Sequence, residues 1–191
     1  MGITVEKCLQ AWTNSLRQMN AKADIVFFGD SQTYFGDFAS VFPEKVVCNL
    51  GLRGDTIQGM IDRMEQVRLL EPKFVYLMAG INDVAMCDLD GFRQKYETLI
   101  LLLLKQISKA RIIVQSILPV NDALFKISCN NKQIVSCNLV IASLSYDYDL
   151  RYVDLYSLYV KEGLLPKEMT ADGIHLQKDA YNMWYKVLKD L

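Results

Sequence analysis

Two short motifs contain residues that together could cleave an acyl bond. Ser31 ends a Gly-Asp-Ser motif, and far downstream an Asp-Gly-Ile-His run joins Asp172 to the one histidine of the chain, His175. A serine nucleophile needs a base that takes its proton and a carboxylate that orients this base. Because the chain has a single histidine, only His175 can be an imidazole base. The three-residue spacing lets Asp172 reach the imidazole ring.

Two further motifs contain groups that are suited to holding an oxyanion. Gly54 lies in the segment 49–56, where two glycines three residues apart expose backbone N–H groups at a predicted helix start. Asn82 follows Gly80 and offers a side-chain amide, a donor of the kind that stabilises oxyanions. Ser31 itself would begin a short helix, where backbone N–H groups favour developing negative charge.

Each motif also has a purely structural interpretation. Ser31 could cap a helix, and Gly54 could be a loop glycine with positive φ. Asn82 and Asp83 could form a turn, and Asp172 could be a capping residue beside an incidental histidine. Taken singly, these motifs leave their roles open. Their position within the predicted fold therefore decides how they are interpreted.

Apolar runs that are typical of buried strands alternate with amphipathic segments along the whole chain. The patterns predict strands at 24–29, 46–50, 74–78, 111–117 and 151–154, and helices at 3–20, 55–70, 89–108, 131–147 and 176–190. This alternation predicts an α/β fold, a three-layer α/β/α sandwich around a parallel sheet, as one domain over residues 1–191. Ligands of such sheets bind at the carboxyl ends of the strands. The candidate residues follow predicted strands or precede the last helix.

Composition argues against several other classes of protein. A net charge of −1 and a pI near 5.9 disfavour a nucleic-acid binder, and the longest apolar run, of six residues at 99–104, is too short to span a membrane. The five cysteines include no C-x-x-C pair, so we expect free thiols, and no metal-ligand pattern is visible. The N-terminal residues show no secretory pattern, so we expect a cytoplasmic protein.

The four motifs, in this order, resemble those of the SGNH hydrolases, also called the GDSL esterase/lipase family, and the resemblance extends over residues 24–190. It implies a flavodoxin-like sandwich with strand order 2-1-3-4-5 and no cofactor. By position, it implies that Ser31 is the nucleophile, His175 the base and Asp172 the carboxylate that orients the base. It also implies an oxyanion hole formed by the backbone N–H groups of Ser31 and Gly54 and by the side chain of Asn82.

The resemblance implies two-step hydrolysis of a small-molecule ester through an acyl-serine. Compact members resemble the platelet-activating-factor acetylhydrolase-like and carbohydrate acetylesterase branches, so we expect short acyl groups, chiefly acetyl, and a substrate that could be a carbohydrate. A lysophospholipase or thioesterase of the same family is an alternative, and so is a non-catalytic flavodoxin-like binding module. The chain departs from the family at Gln32, where Leu or Ile is usual, and this residue could alter the acyl-side pocket.

Overall fold

A single parallel sheet organises residues 5–191, the part of the chain that the computed structural model describes. Its five strands lie in the order β2-β1-β3-β4-β5, and each neighbouring pair is parallel. The strands are β1 (Ile25–Gly29), β2 (Val47–Gly51), β3 (Phe74–Met78), β4 (Arg111–Gln115) and β5 (Arg151–Val153). The predicted fold class and strand order are confirmed.

Helices connect the strands and cover both faces of the sheet. They are α1 (Val5–Gln18), α2 (Ser31–Phe35), α3 (Ile57–Asp62), α4 (Met64–Leu70), α5 (Leu89–Gln106), α6 (Asn131–Asp147), α7 (Tyr156–Tyr159) and α8 (Tyr181–Lys189). Short 3₁₀ turns occupy Ala39–Val41, Lys167–Met169 and Lys178–Ala180. The predicted start of the first helix, at residue 3, lies outside the described residues.

Two hydrophobic cores form because side chains of a strand alternate between the faces of the sheet. In β1, Val26 and Phe28 belong to the core that contains side chains of α1, α3, α4, α5 and α6. The neighbouring side chain of Phe27 belongs to the core on the other face, which contains residues of α7 and α8. There the Phe27 ring stacks between Phe38 and Tyr76, with centroid distances of 3.8 and 4.7 Å. These two cores define the three layers.

Several helix ends coincide with capping groups that the sequence provides. Asp88 caps α5 by accepting a hydrogen bond from Gly91 N at 2.8 Å. Asn130 and Gln133 form a capping box at the start of α6. After α4, Glu71 adopts a left-handed conformation with φ of 46°. These local signals explain why the boundaries of α5 and α6 lie close to those predicted.

The predicted helix at 55–70 is wrong as a continuous element, because it breaks at Arg63. This residue has φ of −106° and ψ of 16°, and it separates α3 from α4. Its side chain is 2% exposed and bonds the carboxylate of Asp55 at 2.7 Å. The helix break thus coincides with a buried ion pair. The periodicity of apolar residues in the sequence does not reveal such a pair.

Other departures from the predicted boundaries have equally local causes. The fourth strand ends at Gln115 instead of residue 117, since the side-chain amide of Asn138 bonds both the N–H and the C=O of Ile117, at 2.8 and 2.9 Å. The last helix begins at Tyr181 instead of residue 176, because the preceding chain makes an antiparallel bridge to Thr170.

Two apolar side chains at or near the helices are exposed to solvent. Met19, beyond the end of α1, is 68% exposed, and Leu101 in the apolar run of α5 is 47% exposed. No helix within residues 5–191 is long and apolar enough to cross a membrane. All five cysteines are free thiols, as expected.

The register of the three central strands brings their carboxyl ends to one level. Gly29 at the end of β1 pairs with Gly51 of β2 and with Met78 of β3. A Cβ atom on Gly29 would overlap Thr33 Oγ1 and lie 2.7 Å from the Met78 carbonyl oxygen, so only glycine fits there. The chain segments after β1, β2 and β3 consequently meet at the topological switch point of the sheet.

Candidate active site

Ser31 is the first residue of α2 and is 5% exposed. The capping residue of this helix is Asp30, whose carboxylate accepts a hydrogen bond from Gln32 N at 2.9 Å. The interpretation of Ser31 as the helix cap is therefore wrong, and its hydroxyl is available for another partner. Because α2 has only five residues, a strong helix macrodipole is not part of its environment.

His175 is the partner of the Ser31 hydroxyl. Nε2 of the imidazole lies 2.9 Å from Ser31 Oγ, and Nδ1 lies 2.6 Å from Oδ2 of Asp172. With Nδ1 protonated, the ring donates to Asp172 and accepts the hydroxyl proton of Ser31 at Nε2. The structure therefore brings Ser31, His175 and Asp172 into one hydrogen-bonded chain.

Asp172 both shapes its turn and contacts the ring. Its Oδ1 accepts hydrogen bonds from the backbone N–H groups of Ile174 and His175, at 3.0 and 2.8 Å. Burial alone would raise the pKa of Asp172, but the hydrogen bonds from the His175 side chain and from these backbone groups outweigh burial and lower the pKa to about 2. The carboxylate is thus charged over a wide pH range. Asp172 therefore makes both kinds of contact that the sequence suggested: it caps its turn, and it bonds the imidazole ring of His175.

Gly173 shapes the same turn, with φ of +86°. Phe125 and Ile127 contact it so closely that a Cβ atom would lie 2.8 Å from either side chain. Gly173 O also accepts a hydrogen bond from Asn121 N at 2.8 Å. The irregular segment 118–131 therefore supports the turn that presents His175. Leu124 of the same segment is 61% exposed.

The Gly54 loop and the Asn82 loop are joined by two hydrogen bonds. Asn82 Nδ2 donates to the carbonyl oxygen of Asp55 at 2.7 Å, next to Gly54 in the chain. In the opposite direction, Ile57 N donates to Oδ2 of Asp83 at 2.9 Å. Gly54 has φ of +72°, as its loop interpretation required. Both candidate oxyanion donors therefore belong to one braced unit beside the end of β1.

Arg63 ties this unit to the strand that precedes Ser31. Its guanidinium bonds the Asp55 carboxylate at 2.7 Å and donates to the carbonyl oxygen of Gly29 at 3.1 Å. Burial raises the pKa of Asp55 and lowers that of Arg63, and their mutual attraction opposes both shifts. Arg63 was not among the residues that the sequence motifs singled out. The feature that could have identified it is its place as a lone cation on the apolar face of the predicted helix, three residues from Met60 and four from Val67.

Asp30 and Asp83 each accept a hydrogen bond from a backbone amide. The donor to Asp30 lies in its own turn, whereas the donor to Asp83 is Ile57 at the start of α3. Asp30 is 1% exposed, and desolvation by this burial raises its pKa to about 7, with smaller contributions from Asp55 and Asp83.

The rim of the site carries exposed aromatic rings and one cation. Phe35 packs edge-on against the imidazole of His175 at a centroid distance of 5.5 Å, and the guanidinium of Arg53 lies 5.5 Å from the Phe35 ring. Tyr34 contacts Phe35 on another side, at 5.1 Å. A reactant that reaches Ser31 would therefore pass apolar surface next to a positive charge.

Two cavities of very different size adjoin these residues. One measures about 10 Å³ and is lined by Asp30, Gln32 and Ile174 together with apolar side chains. The other is open, measures about 530 Å³ and is lined by Phe35 and Tyr185 among polar side chains. Within residues 5–191, no cluster of three or more His, Cys, Asp or Glu side chains could hold a metal ion.

Comparison with known proteins assigns this chain to a family. Residues 27–183 match the profile of the GDSL-like lipase/acylhydrolase family. A protein from Streptococcus pneumonia, provisionally described as a platelet activating factor, is 24% identical with a TM-score of 0.81 over 95% of this chain and 91% of its own. A GDSL-like lipase from Bacteroides thetaiotaomicron is 22% identical, with a TM-score of 0.79 over 95% of both chains.

A third similar structure is a catalytic mutant of an acetylxylan esterase from Geobacillus stearothermophilus. It is 19% identical to this chain, with a TM-score of 0.70 over 88% of this chain and 93% of its own. At these identities the solved structures establish a shared fold. No curated protein sequence matches the chain significantly.

Proposed function

Because the chain belongs to the GDSL-like lipase/acylhydrolase family and is a carboxylic ester hydrolase, we propose that it hydrolyses short-chain esters through an acyl-Ser31 intermediate. Acetyl esters of small molecules such as carbohydrates are the proposed substrates. The observation that carries this proposal is the hydrogen-bonded chain from Ser31 through His175 to Asp172, with distances of 2.9 and 2.6 Å.

In the first step, Ser31 Oγ attacks the ester carbonyl carbon while Nε2 of His175 accepts the hydroxyl proton. Asp172 stabilises the resulting imidazolium. The carbonyl oxygen becomes an oxyanion, and the N–H groups of Ser31 and Gly54 and the second amide proton of Asn82 are its proposed donors. The first amide proton of Asn82 is engaged by Asp55 O, which orients the side chain.

Collapse of the tetrahedral intermediate breaks the bond to the alcohol, and the imidazolium of His175 returns its proton to the leaving oxygen. A water molecule then attacks the acyl-Ser31 carbonyl, and His175 accepts a proton from this water. The second collapse releases the carboxylic acid and restores the Ser31 hydroxyl. His175 acts as the base in its neutral form, with Nε2 free to accept the proton.

The cavities support a short acyl group and a larger alcohol. The cavity beside Gln32 and Ile174, of about 10 Å³, has room for one water-sized group, so it does not accept a long acyl chain. The open cavity of about 530 Å³ shares Phe35 with the catalytic rim and is lined by aromatic and polar side chains, which suit a hydroxylated alcohol. The similarity of fold to an acetylxylan esterase is consistent with this division.

A panel of p-nitrophenyl esters from acetate to laurate tests the proposal. We expect the highest kcat/KM for acetate and a steady decline with chain length. A maximum at the long esters would instead favour the lysophospholipase alternative, and a preference for acyl thioesters would favour the thioesterase alternative.

The panel is run in parallel on Ser31→Ala and on Ser15→Ala. Ser15 lies exposed on α1, where its hydroxyl bonds only its own helix, so it is a matched control. Loss of turnover in Ser31→Ala alone supports the acyl-serine route. Equal turnover by Ser31→Ala and the wild type would remove Ser31 from the mechanism.

A further inference from the structure

Gln32 contacts the backbone on both sides of His175. Its Nε2 donates a hydrogen bond to the carbonyl oxygen of Ile174 at 2.5 Å. Its Oε1 accepts a hydrogen bond from Leu176 N at 3.3 Å. Residue 32 is 3% exposed, so these bonds form away from solvent. One buried amide group therefore bridges the two peptide units that flank the imidazole.

We propose that Gln32 is a positioning residue for His175: its side-chain amide holds the backbone of residues 174–176 against the helix that begins with Ser31. The inference rests on the proposed function, in which His175 is the base. The Gln32 amide does not contact the reacting atoms, although its side chain also lines the small cavity that we assign to the acyl group. Its two hydrogen bonds set the position of the imidazole relative to the hydroxyl of Ser31.

His175 lies outside the helices and strands of the fold. The imidazole extends from an irregular segment between two 3₁₀ turns, and no helix or strand fixes its backbone. Its side chain is 33% exposed and that of Asp172 is 53% exposed, so packing around the pair is incomplete. Directional bonds to the backbone are then the available means of fixing the ring. Gln32 supplies two of them from the residue next to the nucleophile.

Gln32 is itself held at its other end. The hydroxyl of Tyr181 donates to the main-chain oxygen of Gln32 at 2.7 Å and lies 3.5 Å from its Oε1. Tyr181 is 2% exposed and begins α8, directly after the segment that contains His175. The clasp formed by Gln32 and Tyr181 thus joins the nucleophile helix, the histidine segment and the last helix.

The residue usual in the family at this position could not do the same. A leucine or isoleucine in place of Gln32 would fill the space without offering a donor to Ile174 O or an acceptor to Leu176 N. Gln32 therefore has two contacts that matter here, since it lines the small cavity and its amide is directed at the histidine segment.

Gln32→Met tests the clasp, because methionine keeps the length of the side chain and removes both bonds. We expect kcat to fall about 10- to 100-fold, as for a misplacement of the base by about 1 Å, with KM changed by less than about threefold. The matched control is Asn138→Leu, which removes an amide that bonds both backbone groups of Ile117. The control should lose stability and keep kcat within about threefold of the wild type.

A second measurement reports on the ring without any substrate. Since the chain has one histidine, protein labelled with ¹⁵N-histidine gives a single set of imidazole signals. In Gln32→Met we expect exchange of the Nδ1 proton with water to accelerate at least about tenfold, and the ring signals to broaden. Asn138→Leu should keep the wild-type spectrum. This readout is independent of the esterase proposal, so failure of that proposal and failure of the clasp are distinguishable.

Tyr181→Phe keeps the test decisive if Gln32→Met does not fold. It removes only the hydroxyl that holds Gln32, and we expect kcat to fall about two- to tenfold together with faster exchange of the Nδ1 proton. Folded Gln32→Met with kcat within about threefold of the wild type and unchanged ring signals would overturn the inference. If only Tyr181→Phe folds, unchanged kcat and ring signals in that variant would overturn it.

Discussion

Nε2 of His175 lies 2.9 Å from Oγ of Ser31 although 144 residues separate the two along the chain. Ser31 is held by the end of β1, whereas His175 lies in an irregular segment before α8. Their contact therefore depends on the packing of distant parts of the chain.

Asp172→Asn should lower kcat about 10²- to 10⁴-fold, because an amide at this position does not stabilise the imidazolium and can favour the wrong tautomer of His175. Steady-state kinetics on p-nitrophenyl acetate measure the effect. Asp154→Asn is the control, since Asp154 accepts a hydrogen bond from Ser157 N, three residues on, without contacting a histidine. A decrease of kcat in both variants would show that the effect is not specific to the ring.

Asn82→Ala should lower kcat about 10²- to 10³-fold, since one oxyanion donor is removed. The bond from Asn82 to Asp55 O is lost as well, so thermal unfolding must be measured in the same variant. Asn130→Ala removes the capping amide of α6 and should cost about 1 kcal/mol of stability with little effect on kcat. Turnover of Asn82→Ala within about threefold of the wild type would exclude this amide from the oxyanion hole.

Arg63→Leu should destabilise the fold by about 3–5 kcal/mol, because it leaves the carboxylate of Asp55 buried without its cation. Both side chains of this pair are at most 5% exposed. Chemical denaturation measures the change. Lys73→Met breaks the pair with Asp24, in which the lysine is 74% exposed, and should reduce stability far less, because solvent screens an exposed pair. Similar losses in the two variants would contradict the importance of the buried pair.

Asp30→Asn should gain stability relative to the wild type as the pH rises from about 4 to about 8. Burial raises the pKa of Asp30 from 3.8 to about 7. The folded state therefore binds the proton more tightly than the unfolded state, and this stabilisation is complete below pH 3.8 and is lost as the pH rises through about 7. Asparagine cannot ionise, so the variant escapes the loss, and its oxygen can still accept from Gln32 N.

Urea denaturation at several pH values measures this trend. Asp24→Asn is the control, because a hydrogen bond from Lys73 lowers the pKa of Asp24 below 3.8. A lowered pKa contributes stability above the unfolded value, so the control should show no relative gain between about pH 5 and about pH 8. A flat difference between Asp30→Asn and the wild type would mean that Asp30 is ionised at little cost.

Local sequence patterns are sufficient to predict most of the fold. The apolar runs of 24–29 and 74–78 and the periodic helices around them predict the parallel sandwich, since strand and helix periods follow directly from backbone geometry. Capping groups such as Asp88 and Asn130 are also visible in the sequence. Local patterns do not reveal the helix break at Arg63. There the buried contacts of the side chain with Asp55 and Gly29 outweigh the local preference for a continuous helix.

The sequence by itself determined the alternation of strands and helices. By residue type and spacing it also identified Ser31, His175 and Asp172 as candidate site residues. Only the tertiary structure decided where the other polar side chains point. It directs Gln32 to the segment around His175, Asp83 to the start of α3 and Arg63 to Asp55. The physical reason is that periodicity records which face of an element is buried, whereas a hydrogen bond depends on two side chains or backbone groups that meet only after the chain has folded.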